Sequence, residues 1–226
     1  MSELDLKRIV NDIKDRKAIS ISYIVRNYSV GFTKGNQIFK ELIDGGYIST
    51  EGKVLNKCKA DNAGINVVFL DVDGVLNCSS TKDMCLRYVG IEDEKVSLLK
   101  QIVDKSKAKI VLISTWKEWW FNTSYLKDKQ DFLANYLDMK LAKQGLSIYD
   151  KTEDELFNRG DGILEYIRHL SWKGINVNNY VVLDDEIFDY KRTRITKNLV
   201  QTSYNNGGLQ RKHVGKALEK LNVGVC

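Results

Sequence analysis

From residue 66 onward, short apolar runs alternate with amphipathic segments along the chain. The apolar runs are rich in β-branched residues and predict strands at 67–71, 109–113, 146–149, 180–184 and 198–202. The amphipathic segments predict helices at 93–106, 124–144, 161–172 and 211–221. Strands that alternate with helices are typical of a parallel sheet with helices on both faces. We therefore predict an α/β domain over residues 66–226.

A different pattern covers residues 1–57. Apolar positions at helical spacing predict three helices, carried by 4–17, 21–25 and the stretch around 38–43. Thr33 is the predicted N-cap of the third helix, and Gly45-Gly46 is its predicted end. A small hairpin is predicted over 47–55. Three helices followed by a hairpin indicate a winged helix, and a polar linker over 58–65 leads to the α/β domain.

Composition excludes several classes of protein. The 226 residues are 43% hydrophobic and 29% charged, which is ordinary for a globular chain. No apolar run approaches the ~20 residues of a membrane span, and the acidic N-terminus is unlike a signal peptide, so we expect a cytoplasmic protein with no membrane partner. Four cysteines without a CxxC pair and two histidines disfavour a zinc site. The net charge of +5 permits a nucleic-acid or phosphorylated partner without requiring one.

The strand predicted at 67–71 ends in Asp71-Val72-Asp73-Gly74. Residues i and i+2 of a strand lie on one face, so both carboxylates project together from its carboxyl end, where α/β sheets bind ligands. Two like charges so close repel each other unless a cation or a proton lies between them. The segment therefore predicts a Mg²⁺ site, although an Asp-x-Asp-Gly sequence by itself also fits an ordinary Asx turn.

Three further constellations follow predicted strands or open a predicted helix: Ser114-Thr115, Arg159-Gly160 and Asp184-Asp185. In this order, together with the Asp71 segment, they resemble the four motifs of the haloacid dehalogenase (HAD) phosphohydrolase superfamily. The closer resemblance is to the HAD domains of Swiss Army Knife RNA-repair proteins. It is carried by Ser114-Thr115-Trp116, Arg159-Gly160-Asp161, Leu183-Asp184-Asp185, Leu199-Val200-Gln201-Thr202 and Gly208-Leu209.

This resemblance implies a Rossmann-like, Mg²⁺-dependent phosphatase that works through an aspartyl-phosphate. Asp71 would be the nucleophile, and Asp73 would be the general acid and base. Mg²⁺ would be held by Asp71, the Asp73 carbonyl and either Asp184 or Asp185. The family spacing Asp-x-x-x-Asp is met by Asp185 and Asp189, which favours Asp185 as the direct ligand. Asp184, however, is the first polar residue after its strand, so Asp184 and Asp185 both remain candidates.

The same resemblance implies a set of phosphate-binding residues. Ser114 would donate to a phosphoryl oxygen, with Thr115 and Gly74 beside it. Arg159 would neutralise the charge that develops in the transition state. Lys151 is the alternative to Arg159 if the loop between them folds differently.

In the N-terminal segment, Ala18–Arg26 and Val30–Ile38 resemble the DNA-binding gamma winged helix of FtsK-type DNA translocases. The resemblance implies that the helix after Gly31-Phe32 enters the major groove of DNA. Its contacts would come from Thr33, Lys34, Asn36 and Gln37. The alternative is a winged helix that serves as a protein-docking or dimerisation module.

The chain is thus expected to be a phosphatase that acts on a nucleic-acid end or a nucleotide. One alternative is a DNA-binding or partner-docking protein whose HAD domain is a non-catalytic sensor or scaffold. Another is a small-metabolite phosphatase. The cluster formed by Trp116, Trp119 and Trp120 would either stack on a base or line the core and the pocket wall.

Overall fold

The computed structural model describes residues 6–13, 16–55, 64–121, 129–153 and 158–223. They divide into two compact units, one formed mainly by residues before Gly64 and one formed mainly by those after it. Within these described ranges, no helix has the length and apolar character needed to cross a bilayer.

The N-terminal unit contains the three predicted helices, α1 (Leu6–Ile13), α2 (Ile21–Tyr28) and α3 (Phe32–Asp44). Ser20 caps α2, because its hydroxyl accepts a hydrogen bond from the Tyr23 N–H at 3.2 Å. All three helices contribute buried apolar side chains to one core, among them Ile9, Ile13, Ile24, Ile38 and Leu42. Antiparallel bridges join Ile48 to Val54 and Ala18 to Lys53.

The predicted cap of α3 is wrong. Gly31, and not Thr33, is the N-cap, because the Gly31 carbonyl already accepts the Gly35 N–H at 2.8 Å. Thr33 therefore lies inside the helix and is exposed. The helix ends at Asp44 with Gly45 as its C-cap, as predicted.

The second unit is built on the predicted parallel sheet. Its five strands are β1 (Ile65–Leu70), β4 (Lys109–Leu112), β5 (Ile148–Lys151), β6 (Val177–Asp184) and β7 (Leu199–Gln201). Their order across the sheet is β5-β4-β1-β6-β7, which places β1 at the centre. Val68 lies in register with Ile110 on one side and Val181 on the other. This position explains the apolar run from Val67 to Leu70 in β1, since all four side chains are buried.

Helices cover both faces of this sheet: α4 (Asp93–Ser106), α5 (Phe132–Ala142), α6 (Arg159–Trp172) and α7 (Arg211–Lys220). Side chains of α4, α5 and α7 share one core with Val68 and Leu70 of β1. Phe69 points to the opposite face, where its ring meets Tyr166 of α6 edge to face at 6.0 Å. The predicted α/β fold class is confirmed.

A short hairpin, β2 (Met84–Cys85) and β3 (Tyr88–Val89), lies between β1 and α4. The sequence alone predicts only a loop or a small lid over residues 78–90, with one helix after it. The hairpin is tied to α5, because the Tyr136 hydroxyl donates to Asp83 at 2.9 Å and accepts from the Ile91 N–H at 2.9 Å.

Among the predicted boundaries that differ from the structure are the starts of β1 and α5. β1 already begins at Ile65, which the sequence assigns to the linker, while the linker residues up to 63 lie outside the described ranges. α5 begins at Phe132, where the Asp131 side chain accepts the Ala134 N–H at 2.8 Å. The first part of the helix predicted at 124–144 also falls largely outside the described residues.

Candidate active site

Asp71 follows the last residue of the central strand and is 4% exposed. Its backbone N–H donates to the Leu183 carbonyl of β6 at 2.9 Å, which continues the sheet pairing by one residue. Burial, together with the nearby Asp184 carboxylate, raises the pKa of Asp71 to about 7, and Arg159 and the Ser114 hydroxyl oppose this rise. The carboxyl group is therefore poised to lose its proton near neutral pH.

Asp73 lies two residues further on, with its side chain exposed. One carboxylate oxygen, Oδ1, accepts the Asn77 Nδ2–H at 2.7 Å. The other, Oδ2, accepts the Trp116 indole Nε1–H at 2.9 Å. An exposed carboxylate is thus held in one orientation next to the buried one.

Asp184 and Asp185 end β6 beside Asp71. Asp184 is fully buried, and its Oδ2 accepts the Tyr190 hydroxyl at 2.6 Å and an N–H of Arg159 at 2.7 Å. Asp185 is half-buried, and burial, with Asp184 and Glu186 nearby, raises its pKa. Asp184 therefore has several protein donors on its carboxylate, and Asp185 lies closer to the surface of the site.

Gly74 allows Asp185 to approach the Asp71 loop. Its φ is +74°, and a Cβ atom at this position would lie 2.2 Å from the Asp185 Cγ. Any side chain here would therefore push Asp185 away from the cluster and strain the backbone. The Gly74 N–H donates to Asn77 Oδ1 at 2.9 Å, so it supports the loop, and a role in binding phosphate stays a prediction.

The segments Leu199-Val200-Gln201-Thr202 and Gly208-Leu209 hydrogen-bond to the backbone of the same loop. The Thr202 hydroxyl, after β7, donates to the Gly74 carbonyl at 2.7 Å. The Leu209 N–H donates to the Val75 carbonyl at 2.9 Å. These segments therefore shape the loop that carries Asp73.

Arg159, at the start of α6, is 6% exposed and reaches both buried carboxylates. Its Nη1 lies 3.2 Å from Asp71 Oδ2 and 2.7 Å from Asp184 Oδ2. Burial acts to lower the pKa of this guanidinium, but the two carboxylates outweigh burial and raise it. Lys151 lies elsewhere, since its Nζ donates to the Lys117 carbonyl at 3.0 Å. Of the two predicted alternatives, the structure places Arg159 beside Asp71.

Asp189 has a role that the sequence does not reveal. Its carboxylate accepts the N–H groups of Gly160 at 2.6 Å and Asp161 at 3.1 Å, and so it binds the first backbone donors of α6. A Cβ on Gly160 would lie 2.3 Å from Thr193 Oγ1, which explains the glycine. Asp189 thus fixes the helix start that carries Arg159, whereas the sequence analysis uses it only for the spacing that favours Asp185 as a metal ligand.

Ser114 is 1% exposed and follows β4. Its hydroxyl accepts the Trp116 N–H at 3.4 Å, which begins a short 3₁₀ turn. Thr115 is the first residue of that turn and is exposed. Ser114 therefore lies at the carboxyl end of the strand next to Asp71, with Thr115 at the surface.

The acidic cluster fits a divalent cation of the Mg²⁺ type. Asp71, Asp184 and Asp185 each offer a carboxylate oxygen, and these oxygens lie within 4.8 Å of one another. Among the described residues, Asp71 Oδ1 is buried and has no hydrogen-bond partner. A buried, unsatisfied oxygen costs free energy that a bound cation would recover. A donor set made of oxygens alone suits Mg²⁺ rather than zinc.

In the N-terminal unit, the predicted nucleic-acid contacts lie on α3. They are all exposed: Thr33, Lys34, Asn36 and Gln37. The Lys34 ammonium donates to Gln37 Oε1 at 3.2 Å, so the two side chains form one polar surface. Their contact with nucleic acid stays a prediction.

The model of one protein family, the HAD domain in Swiss Army Knife RNA repair proteins, matches residues 67–214. The chain belongs to this family. The match covers every carboxylate of the cluster and Arg159, and leaves α1 to α3 outside. Neither the search of curated proteins nor the search of solved structures gave a match.

Sequence reasoning missed three residues of this HAD site. Asn77 follows the Asp71 motif within the same loop, but nothing in the sequence separates it from an ordinary turn residue. Tyr190 follows Asp184 by six residues in a stretch where the sequence assigns it no role, and it is buried. Trp116 is part of the predicted Ser-Thr-Trp motif, but its bond to Asp73 becomes visible only in three dimensions.

Proposed function

We propose that this HAD domain is a Mg²⁺-dependent phosphohydrolase that acts on a terminal phosphate of a nucleic acid or on a nucleotide. The observation that carries the proposal is the cluster of Asp71, Asp184 and Asp185, with Arg159 between two of its members. A buried carboxylate with a pKa of about 7 beside a fixed guanidinium and an oriented second carboxylate is suited to covalent phosphoryl transfer.

In this mechanism Asp71 attacks phosphorus, forms an aspartyl-phosphate and displaces the leaving oxygen. Asp73 gives its proton to that oxygen, and in the second step it takes a proton from the water that hydrolyses the intermediate. Arg159 and the Ser114 hydroxyl face the phosphoryl oxygens and stabilise the charge that develops on them.

Asp71, Asp184 and Asp185 would hold Mg²⁺, with the Asp73 carbonyl as the predicted additional ligand. When bound, the cation would supply positive charge that reduces the repulsion between the carboxylate nucleophile and the phosphate. The buried Asp71 Oδ1, which has no partner among the described residues, supports this assignment.

The substrate class is supported by the N-terminal unit and by the family. α3 presents an exposed polar surface with Lys34. The resemblance of this unit to a DNA-binding winged helix implies a polyanionic partner for that surface. The family is named for domains of RNA repair proteins. A nucleic acid with a terminal phosphate would therefore offer a phosphate to the HAD domain and a polyanionic backbone to the N-terminal unit.

The deciding experiment measures Mg²⁺-dependent phosphate release by the wild type and by Asp71→Asn. The substrates are 3′- and 5′-phosphorylated DNA and RNA, mononucleotides and an aryl phosphate. We expect release from a nucleic-acid end, loss of release in Asp71→Asn with the fold retained, and little change in the control Asp161→Asn, whose carboxylate is exposed. Turnover by Asp71→Asn would exclude the covalent mechanism.

Other outcomes separate the alternatives. Release from small esters alone, independent of salt, favours a metabolite phosphatase. Mg²⁺ binding without release from any substrate favours a sensor or scaffold. For the N-terminal unit, Lys34→Gln should weaken oligonucleotide binding and lower the slope of log affinity against log salt by about one if Lys34 contacts a phosphate. An unchanged slope would favour the protein-docking alternative.

A further inference from the structure

The carboxylate of Asp73 is exposed, and an exposed aspartate ordinarily samples several rotamers. Here both of its oxygens are bound, one by Asn77 Nδ2–H at 2.7 Å and the other by Trp116 Nε1–H at 2.9 Å. Both donors come from side chains that cannot accept a proton in these positions, because the indole N–H and the amide NH₂ only donate. Neither donor can therefore relay a proton to or from Asp73, and the two bonds fix the direction in which its carboxylate points.

Both donors are themselves fixed. Asn77 is fully buried, and its Oδ1 accepts the Gly74 N–H at 2.9 Å. Trp116 is 7% exposed, and its ring lies 6.4 Å from the Tyr136 ring of α5. Tyr136 in turn binds the backbone N–H of Ile91. The orientation of Asp73 is thus determined by well-packed side chains from the 73–77 loop, the turn after β4 and α5.

We propose that Trp116, together with Asn77, is a positioning residue that holds Asp73 in place to protonate the leaving-group oxygen. The inference rests on the proposed function and assigns a role within it. In the step concerned, the bond from Asp71 oxygen to phosphorus forms, the bond from phosphorus to the leaving oxygen breaks, and the proton of Asp73 moves to that oxygen. Neither Trp116 nor Asn77 gains or loses a proton.

The test compares two esters that share a nitrophenyl ring but differ in their need for an acid. The leaving group of 4-nitrophenyl phosphate is a stable phenolate, whereas 4-nitrobenzyl phosphate must release a poor alkoxide unless it is protonated. The parameter is kcat/KM, which reports the first chemical step. For Trp116→Phe we expect kcat/KM to fall about 10- to 100-fold on the benzyl ester, and less than about threefold on the phenyl ester.

Trp120→Phe is the matched control. Trp120 is also buried, and its indole N–H donates to Asp138 at 2.9 Å, so this variant loses a ring N–H without touching Asp73. It should leave the ratio of the two kcat/KM values unchanged. If Trp116 had a purely structural role, Trp116→Phe would lower kcat/KM by the same factor on both esters. That result would overturn the inference.

A second variant keeps the test decisive if Trp116→Phe does not fold. Asn77→Ala removes the donor to Asp73 without placing a second negative charge beside that carboxylate, although it also removes the acceptor for the Gly74 N–H. It should show the same selective loss on the benzyl ester. If the wild type is active and each variant loses kcat/KM by the same factor on both esters, the positioning role alone is refuted. A wild type inert toward every phosphate ester would refute the proposed function and this inference with it.

Discussion

Arg159 is the one cation in direct contact with Asp71 and Asp184 among the described residues, and its removal should destabilise the metal-free protein. The ion pairs are 3.2 and 2.7 Å long, and the side chains are at most 7% exposed. Solvent therefore screens them little, and removing one partner of a buried pair costs about 3–5 kcal/mol. For a chain of this size that corresponds to a fall in Tm of roughly 10 °C in Arg159→Gln.

The assay is thermal unfolding in chelator and in millimolar Mg²⁺. The fall in Tm caused by Arg159→Gln should be smaller at pH 5.5 than at pH 8. Asp71, whose pKa is raised to about 7, is protonated at pH 5.5, so its neutral carboxyl group loses no ion pair when the guanidinium is removed. Mg²⁺ should raise the Tm of Arg159→Gln more than that of the wild type. Arg168→Gln, an exposed arginine on the same helix, is the control. A metal-free Tm within 2 °C of that control's would refute the reasoning.

Two further predictions follow from the site. Mg²⁺ must displace the proton of Asp71, whose pKa is raised from 3.8 to about 7. The Kd for Mg²⁺ should therefore rise about tenfold for each pH unit below 7. Calorimetric titration at pH 6 and pH 8 measures this, and equal Kd values would contradict it. Asp189→Ala removes the carboxylate at the start of α6 and should cost about 1–2 kcal/mol of stability. Because Arg159 begins that helix, the variant should also lower kcat, whereas Asp161→Ala should not, and equal kcat values would contradict the positioning of Arg159 by Asp189.

The part of the site that lies on strand ends could be predicted from the sequence. Asp71, Ser114 and Asp184 each follow an apolar run, and parallel strands bring their carboxyl ends to one edge of the sheet. Arg159 was predicted from a family resemblance, and the structure places it at the same edge. The fold class followed from the same alternation of strands and helices.

The remainder depends on contacts between distant residues. α6 begins at Arg159 rather than at the predicted residue 161, because its backbone donors are bound by Asp189, about thirty residues later. The β2–β3 hairpin has strands of two residues, which are too short to show an alternating pattern. β6 extends back to Val177 because Asn179 can pair its amide with Asn66 across the sheet, although Asn is rare in strands.

The central position of β1 has a consequence for the order in which the domain opens. β1 is paired on both sides, with β4 and with β6, whereas β5 and β7 are edge strands paired on one side only. Amide hydrogens of β1 should therefore exchange with solvent only when the whole domain unfolds, and those of β5 and β7 should exchange through smaller fluctuations. Asp71, the proposed nucleophile, directly follows this strand, so its carboxylate should keep its position while the edge strands open and close.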